Sequence, residues 1–105
     1  MDATDILAAR RAGTLSATDH MAATLDHIAT VNPGVNAVVS LRPRDECLDD
    51  ANAADAAGVS TPLMGLPMAI KDLADTKGLR TTYGSPIFAD HIPTKDSQIV
   101  ARLRG

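Results

Sequence analysis

Tryptophan is absent, and tyrosine and phenylalanine occur once each, at Tyr83 and Phe88. Alanine therefore supplies much of the 45% apolar content, and a methyl side chain buries little area. At roughly 25 cal/mol per Å² of apolar surface removed from water, such a core stabilises weakly. A chain of 105 residues holds one domain at most, and this one reads as a domain that does not stand comfortably alone. A single cysteine, Cys47, excludes an internal disulfide and a cysteine-built metal site. It reads as a small packed or half-exposed thiol and suits a reducing compartment. No basic segment followed by an apolar stretch marks a secretory leader. No apolar run approaches the ~20 residues that span a bilayer. A net charge of −3 gives no pull toward nucleic acid or an anionic membrane. The expectation is a cytoplasmic protein without direct nucleic-acid or membrane partners. His20, His27 and His91 are too scattered to form a ligand set and read as surface side chains.

Local signals divide the rest. Thr4 is placed to cap a helix through about Ala12, with Gly13 as the stop. Ser16 and Asp19 fit a capping box opening a helix with Met21, Leu25 and Ile28 on one face. Asn32-Pro33-Gly34 is read as the turn that ends it. Asn36 to Leu41 is short, apolar and valine-containing, and is read as extended or a strand. An alanine-rich helix follows from Arg44 to Ala57, with Arg44, Asp45, Asp49 and Asp55 on its polar face and Gly58 ending it. Leu66 to Lys71 is the best strand candidate. A mostly loop stretch from Asp72 to Asp90 leads to a last helix starting at Lys95 or Asp96. There are no internal repeats.

Lys71 is the residue with the most chemistry. It closes the run Gly65-Leu66-Pro67-Met68-Ala69-Ile70-Lys71-Asp72. An ammonium at the end of a buried strand is costly unless paired or deprotonated, and a neutral lysine is a base. Three blocks carry a resemblance. Gly13-Thr14-Leu15-Ser16 runs on through Ile28 and Asn32-Pro33 to Asn36-Ala37. Pro62 to Asp72 is the second. Gly78-Leu79-Arg80-Thr81-Thr82-Tyr83-Gly84-Ser85, followed by Asp96 to Leu103, is the third. Together they resemble, over nearly the whole chain, the N-terminal part of the amidase signature family, serine hydrolases that cleave carboxamides.

The resemblance implies an α/β fold, a mixed sheet flanked by helices, of which residues 1–105 would be a partial domain. It implies a Ser–cis-Ser–Lys triad in which Lys71 is the base that draws a proton through a bridging serine. The substrate would be a small-molecule amide, cleaved through an acyl-enzyme with neither metal nor cofactor. Both triad serines, and the backbone donors of the oxyanion hole, belong in the family to a glycine- and serine-rich region downstream of the lysine. No such block occurs between Lys71 and Gly105. The 105-residue chain is therefore expected to be inactive alone, as a fragment or truncated product or as part of a split enzyme whose partner chain supplies the rest.

Four further residues are candidates around Lys71. Asp72 reads either as support that orients Lys71 or nearby loop amides, or as a cap of the following turn. Thr81 and Thr82 read as loop-fixing hydroxyls. Ser85 reads as a loop hydroxyl bonding local backbone, the alternative being a Ser–Lys dyad. Two rivals accompany the general amidase reading. Thr76 to Thr82 also resembles the A subunit of glutamyl-tRNA amidotransferases, which releases ammonia from glutamine. The other rival is a non-catalytic remnant, an interaction module that associates with itself through unpaired strand edges.

Overall fold

The computed structural model describes residues 1–105 and contains α1 (Ala3–Arg11), α2 (Ala17–Val35), α3 (Arg44–Ala57), a 3₁₀ turn (Pro86–Phe88) and α4 (Gln98–Arg104). It contains no strand and no sheet. The one β-type contact is an isolated antiparallel bridge between Thr76 and Leu79. The expected mixed sheet flanked by helices is therefore overturned, and with it the strand readings of Asn36–Leu41 and Leu66–Lys71. A strand needs a neighbouring strand to form a ladder, and neither segment belongs to one. Pro67 has no N–H to offer a ladder. Val39 and Leu41 are about half exposed rather than buried on a sheet face. Without strands there are no strand edges, so self-association through edges loses its basis.

The chain folds as two compact units. One comprises Met1–Ala37 with Arg42–Met68, the other Val38–Leu41 with Ala69–Gly105. No helix is long and apolar enough to cross a membrane.

In the first unit, local capping sets the helix boundaries. Asp2, not Thr4, caps α1, through a reciprocal box with Asp5. A carboxylate accepts from orphan amides more strongly than a hydroxyl does, so the helix starts slightly earlier than expected. Ser16 caps α2 by accepting from the Asp19 amide at 2.9 Å. The helix then runs through Pro33 to Val35, past the expected stop. Proline forfeits only its own amide bond near a helix end, where the loss is smallest. Termination falls to Asn36 in the left-handed region at φ 49°, whose N–H returns to the Asn32 carbonyl at 2.6 Å. Helix α3 spans the expected residues and ends at Gly58, φ 72°. It packs on α2, and apart from Leu25 the buried apolar residues here are small: Ala17, Cys47 and Ala51.

The second unit is held by loop hydrogen bonds. Gly78 N–H donates to the Pro93 carbonyl, Thr81 N–H to that of His91, and Ser97 N–H to that of Asp75. Helix α4 begins at Gln98, later than expected, because the preceding residues are engaged elsewhere. Asp96 accepts the Lys77 amide at 2.7 Å and lies 3.4 Å from Arg104 Nε. Val100 is buried, while Leu73, Ile87, Ile92 and Ile99 are exposed.

Candidate active site

Lys71 opens a tight turn. Its carbonyl accepts the Ala74 amide at 3.0 Å. Its side chain is exposed, not buried at the end of a strand. The amine has no hydrogen-bond or ion-pair partner among the contacts of this unit.

Asp72 is fastened to the third motif block. Its Oδ1 accepts the Thr82 amide at 2.8 Å, and its Oδ2 accepts the Thr82 hydroxyl. Its own carbonyl accepts the Tyr83 amide at 3.0 Å. The Thr82 hydroxyl, the Thr82 and Gly84 amides and the Arg80 charge hold the Asp72 carboxyl below its usual range, against a smaller opposing effect of burial. The geometry shows a carboxylate that holds the Thr82 loop amide and hydroxyl and makes no bond to Lys71.

Thr81 is buried, and its hydroxyl donates to the Leu79 carbonyl at 3.1 Å. Ser85 Oγ accepts the Ile87 amide at 3.3 Å, capping the 3₁₀ turn. Both are local backbone bonds.

The loop contains a cluster that residue patterns did not reveal. The Tyr83 hydroxyl donates to the Asp75 carboxylate and lies 3.3 Å from His91 Nε2. The Tyr83 ring meets Phe88 edge-on at 5.1 Å between centroids and stacks with His91 at 5.7 Å. Hydrogen bonding to Asp75, with burial and the nearby carboxylates, pushes the Tyr83 phenol up, so it stays a donor. His91 is half-buried here rather than a plain surface side chain. The residues in this cluster come from three separate parts of the loop, and no short spacing announces them.

The first unit has its own polar centre. The Arg10 guanidinium is buried, donating to the Met64 carbonyl at 2.6 Å and to Asp55 at 3.0 Å. Asp55 also accepts the Ala17 and Thr18 amides at 2.7 and 3.0 Å, and lies 2.7 Å from the Thr18 hydroxyl. It thus caps α2 from α3. Burial raises the Asp55 carboxyl, but the Ala17 and Thr18 donors and Arg10 outweigh it and hold it at about 2. One signal could have pointed to this residue. A carboxylate in the last turn of a helix opposes the helix dipole, which suggests that it serves something else. An open hollow of about 580 Å³ is lined by Arg10, Arg11, Leu15, Ser16, Asp55 and Val59; none of the predicted site residues lines it. No group of His, Cys, Asp or Glu stands close enough together to hold a metal ion.

The amidase family profile matches residues 19–105, so the Gly65–Asp72 motif and the loop bonded to Asp72 lie inside the matched segment. The chain belongs to the amidase family. Among curated relatives, the glutamyl-tRNA(Gln) amidotransferase A subunit of Geobacter sulfurreducens is 45% identical over 103 residues, covering 95% of this chain and 20% of that protein. The protein of the same description from Oleidesulfovibrio alaskensis is 39% identical over 103 residues, covering 96% and 21%. That from an Azoarcus species is 45% identical over 83 residues, covering 76% and 17%. The chain spans about a fifth of the length of these relatives.

Proposed function

We propose that this chain is the base-bearing N-terminal part of an enzyme that hydrolyses carboxamide C–N bonds, with Lys71 as the general base of a Ser–cis-Ser–Lys triad. Family membership carries the reading. It is supported by the position of Lys71 in the Gly65–Asp72 motif and by an amine that no local carboxylate occupies. The neutral amine takes a proton from a bridging serine, which takes one from the nucleophilic serine. That oxygen attacks the amide carbon, the C–N bond breaks, and the amine product leaves protonated. Water then releases the carboxylate from the acyl-enzyme by the same relay.

Neither serine lies in the Gly65–Asp72 block, and Ser85 is occupied with the Ile87 amide. Residues 1–105 alone therefore turn over no simple amide. For the substrate, the similarity to the A chains of amidotransferases favours an enzyme that works beside other subunits and takes ammonia from glutamine. The Gly84–Phe88 run is what favours a general amidase instead.

The test is a chimera. Residues 1–105 replace the matching N-terminal segment of the Geobacter sulfurreducens relative, and amide hydrolysis is measured. Lys71→Arg keeps the positive charge but cannot give up its proton, so it abolishes turnover as fully as Lys71→Ala. Substantial turnover by the arginine variant makes Lys71 a fixed charge and overturns the base assignment.

A further inference from the structure

The Lys71 amine has no partner in its own unit, so its placement depends on the backbone that carries it. That backbone is tied on both sides of its turn. Asp72 holds three bonds to Thr82 and Tyr83. Asp75 accepts the Ser97 amide on its carbonyl at 2.8 Å and the Tyr83 hydroxyl on its carboxylate. Tyr83 is the one residue bonded to both ends of the turn, to Asp72 through its amide and to Asp75 through its hydroxyl.

Tyr83 also sits at φ 54°, in the left-handed region that a bulky side chain enters only with strain. A glycine would adopt that backbone without strain and would keep the amide bond to Asp72. It would lose the hydroxyl bond to Asp75, the approach to His91 and the edge contact with Phe88. The strained conformation therefore accompanies bonds that only the tyrosine side chain makes.

We propose that Tyr83, together with Asp72 and Thr82, is a positioning clamp that fixes the turn carrying Lys71 so that its amine is presented at one defined place. The proposal rests on Lys71 being the base. A base must stand within hydrogen-bond reach of the proton it takes, and misplacement by about 1 Å costs up to roughly a hundredfold in rate. Tyr83 touches no reacting atom in this scheme; it acts through the turn.

The same chimera tests it. Tyr83→Phe removes the hydroxyl and nothing else. Turnover is measured as kcat and KM separately, and amide hydrogen exchange is followed at Ala74 and Tyr83. The expected result is a fall in kcat of about tenfold with KM changed less than about twofold, and faster exchange at those amides while the rest of the protein keeps its protection. An unchanged kcat overturns the clamp. So does a loss of activity that merely tracks loss of folded protein. If Tyr83→Phe does not fold, Thr82→Val, which deletes the hydroxyl bond to Asp72, gives the same readout. The two ideas fail separately. Turnover retained in Lys71→Ala removes the base reading whatever Tyr83 does. Turnover lost in Lys71→Ala but kept in Tyr83→Phe removes the clamp alone.

Discussion

Replacing Asp55 should unfasten the first unit. Its carboxylate ties three parts of the chain, namely α1 through Arg10, the start of α2 through Ala17 and Thr18, and α3, on which it sits. Asp55→Ala removes the acceptor of the Ala17 and Thr18 amides at the start of α2, a capping role worth about 1 kcal/mol, while Ser16 keeps the Asp19 amide. It also leaves the Arg10 guanidinium, whose side chain is 3% exposed, with only the Met64 carbonyl. Stranding a buried charge typically costs about 3–5 kcal/mol. The Asp55 side chain is 29% exposed, so solvent screening weakens its share. A total loss of about 3 kcal/mol is expected. A domain of this length holds roughly 5–15 kcal/mol, and a core of small residues argues for the low end. Urea unfolding followed by far-UV circular dichroism measures it, because α1–α3 contain most of the helical residues.

The pH dependence separates charge from packing. Asp55 is held at about 2 in the folded chain, below its unfolded value near 3.9. Its contribution is therefore complete above about pH 5 and is lost as the pH falls through 4 toward 2. Linkage gives about 1–2 kcal/mol after allowance for screening. Asp55→Asn resembles the protonated acid, so the stability gap between wild type and Asp55→Asn should be constant near neutrality and close as the pH falls. A gap that stays flat down to pH 2, or an Asp55→Ala loss below about 0.5 kcal/mol, would refute the reasoning. So would additivity of Asp55→Ala and Arg10→Met, since coupled partners must not add.

Gly65→Ala should destabilise the first unit by about 2 kcal/mol in the same urea assay. Gly65 sits at φ 77°, and a Cβ there would lie 2.5 Å from Arg10 Nη1 and 2.6 Å from Cζ; an unchanged midpoint would show that Arg10 yields freely. Cys47 should react slowly with a thiol reagent at pH 8 and rapidly once urea is added. Burial pushes its thiol up, against the nearby Arg42 charge; immediate labelling of the native chain would contradict the buried placement.

The helical part of the fold was legible because its signals are local. Ser16 capping and the Gly58 stop operate across a few residues, and both stand where the spacing put them. The errors lie where a distant partner decides. Asp55 looked like one more polar-face acid because Arg10 and Ala17 are 45 and 38 residues away. The apolar run Leu66–Ile70 looked like a strand because composition does not say whether a neighbour exists to pair with it. Asn32-Pro33-Gly34 reads as a stop because proline lacks an amide to donate, yet the end of the helix is set by the αL cap at Asn36 that follows it. At the candidate site, the motif picked out Lys71, Asp72 and Thr82. It did not show that Asp72 bonds Thr82, nor that Tyr83 and His91 belong with them.

The two units hold their shape by different physics, and that bears on what each can do. The first buries helix faces built from small apolar side chains, and such contacts are non-directional. The second buries little beyond Val100, Pro93, Thr76 and Thr81. Its loops are defined by hydrogen bonds, which weaken steeply when bent or stretched. A loop held that way gains little total stability, since each bond contributes only about 1 kcal/mol net. It does gain a well-defined path, because the Asp72 bonds are simultaneous and one acceptor is charged. Positioning an amine requires a defined path more than it requires a large free energy. The strain at Tyr83 fits the same account: a loop held mainly by bond directions keeps a left-handed tyrosine only if that residue's own bonds hold it there.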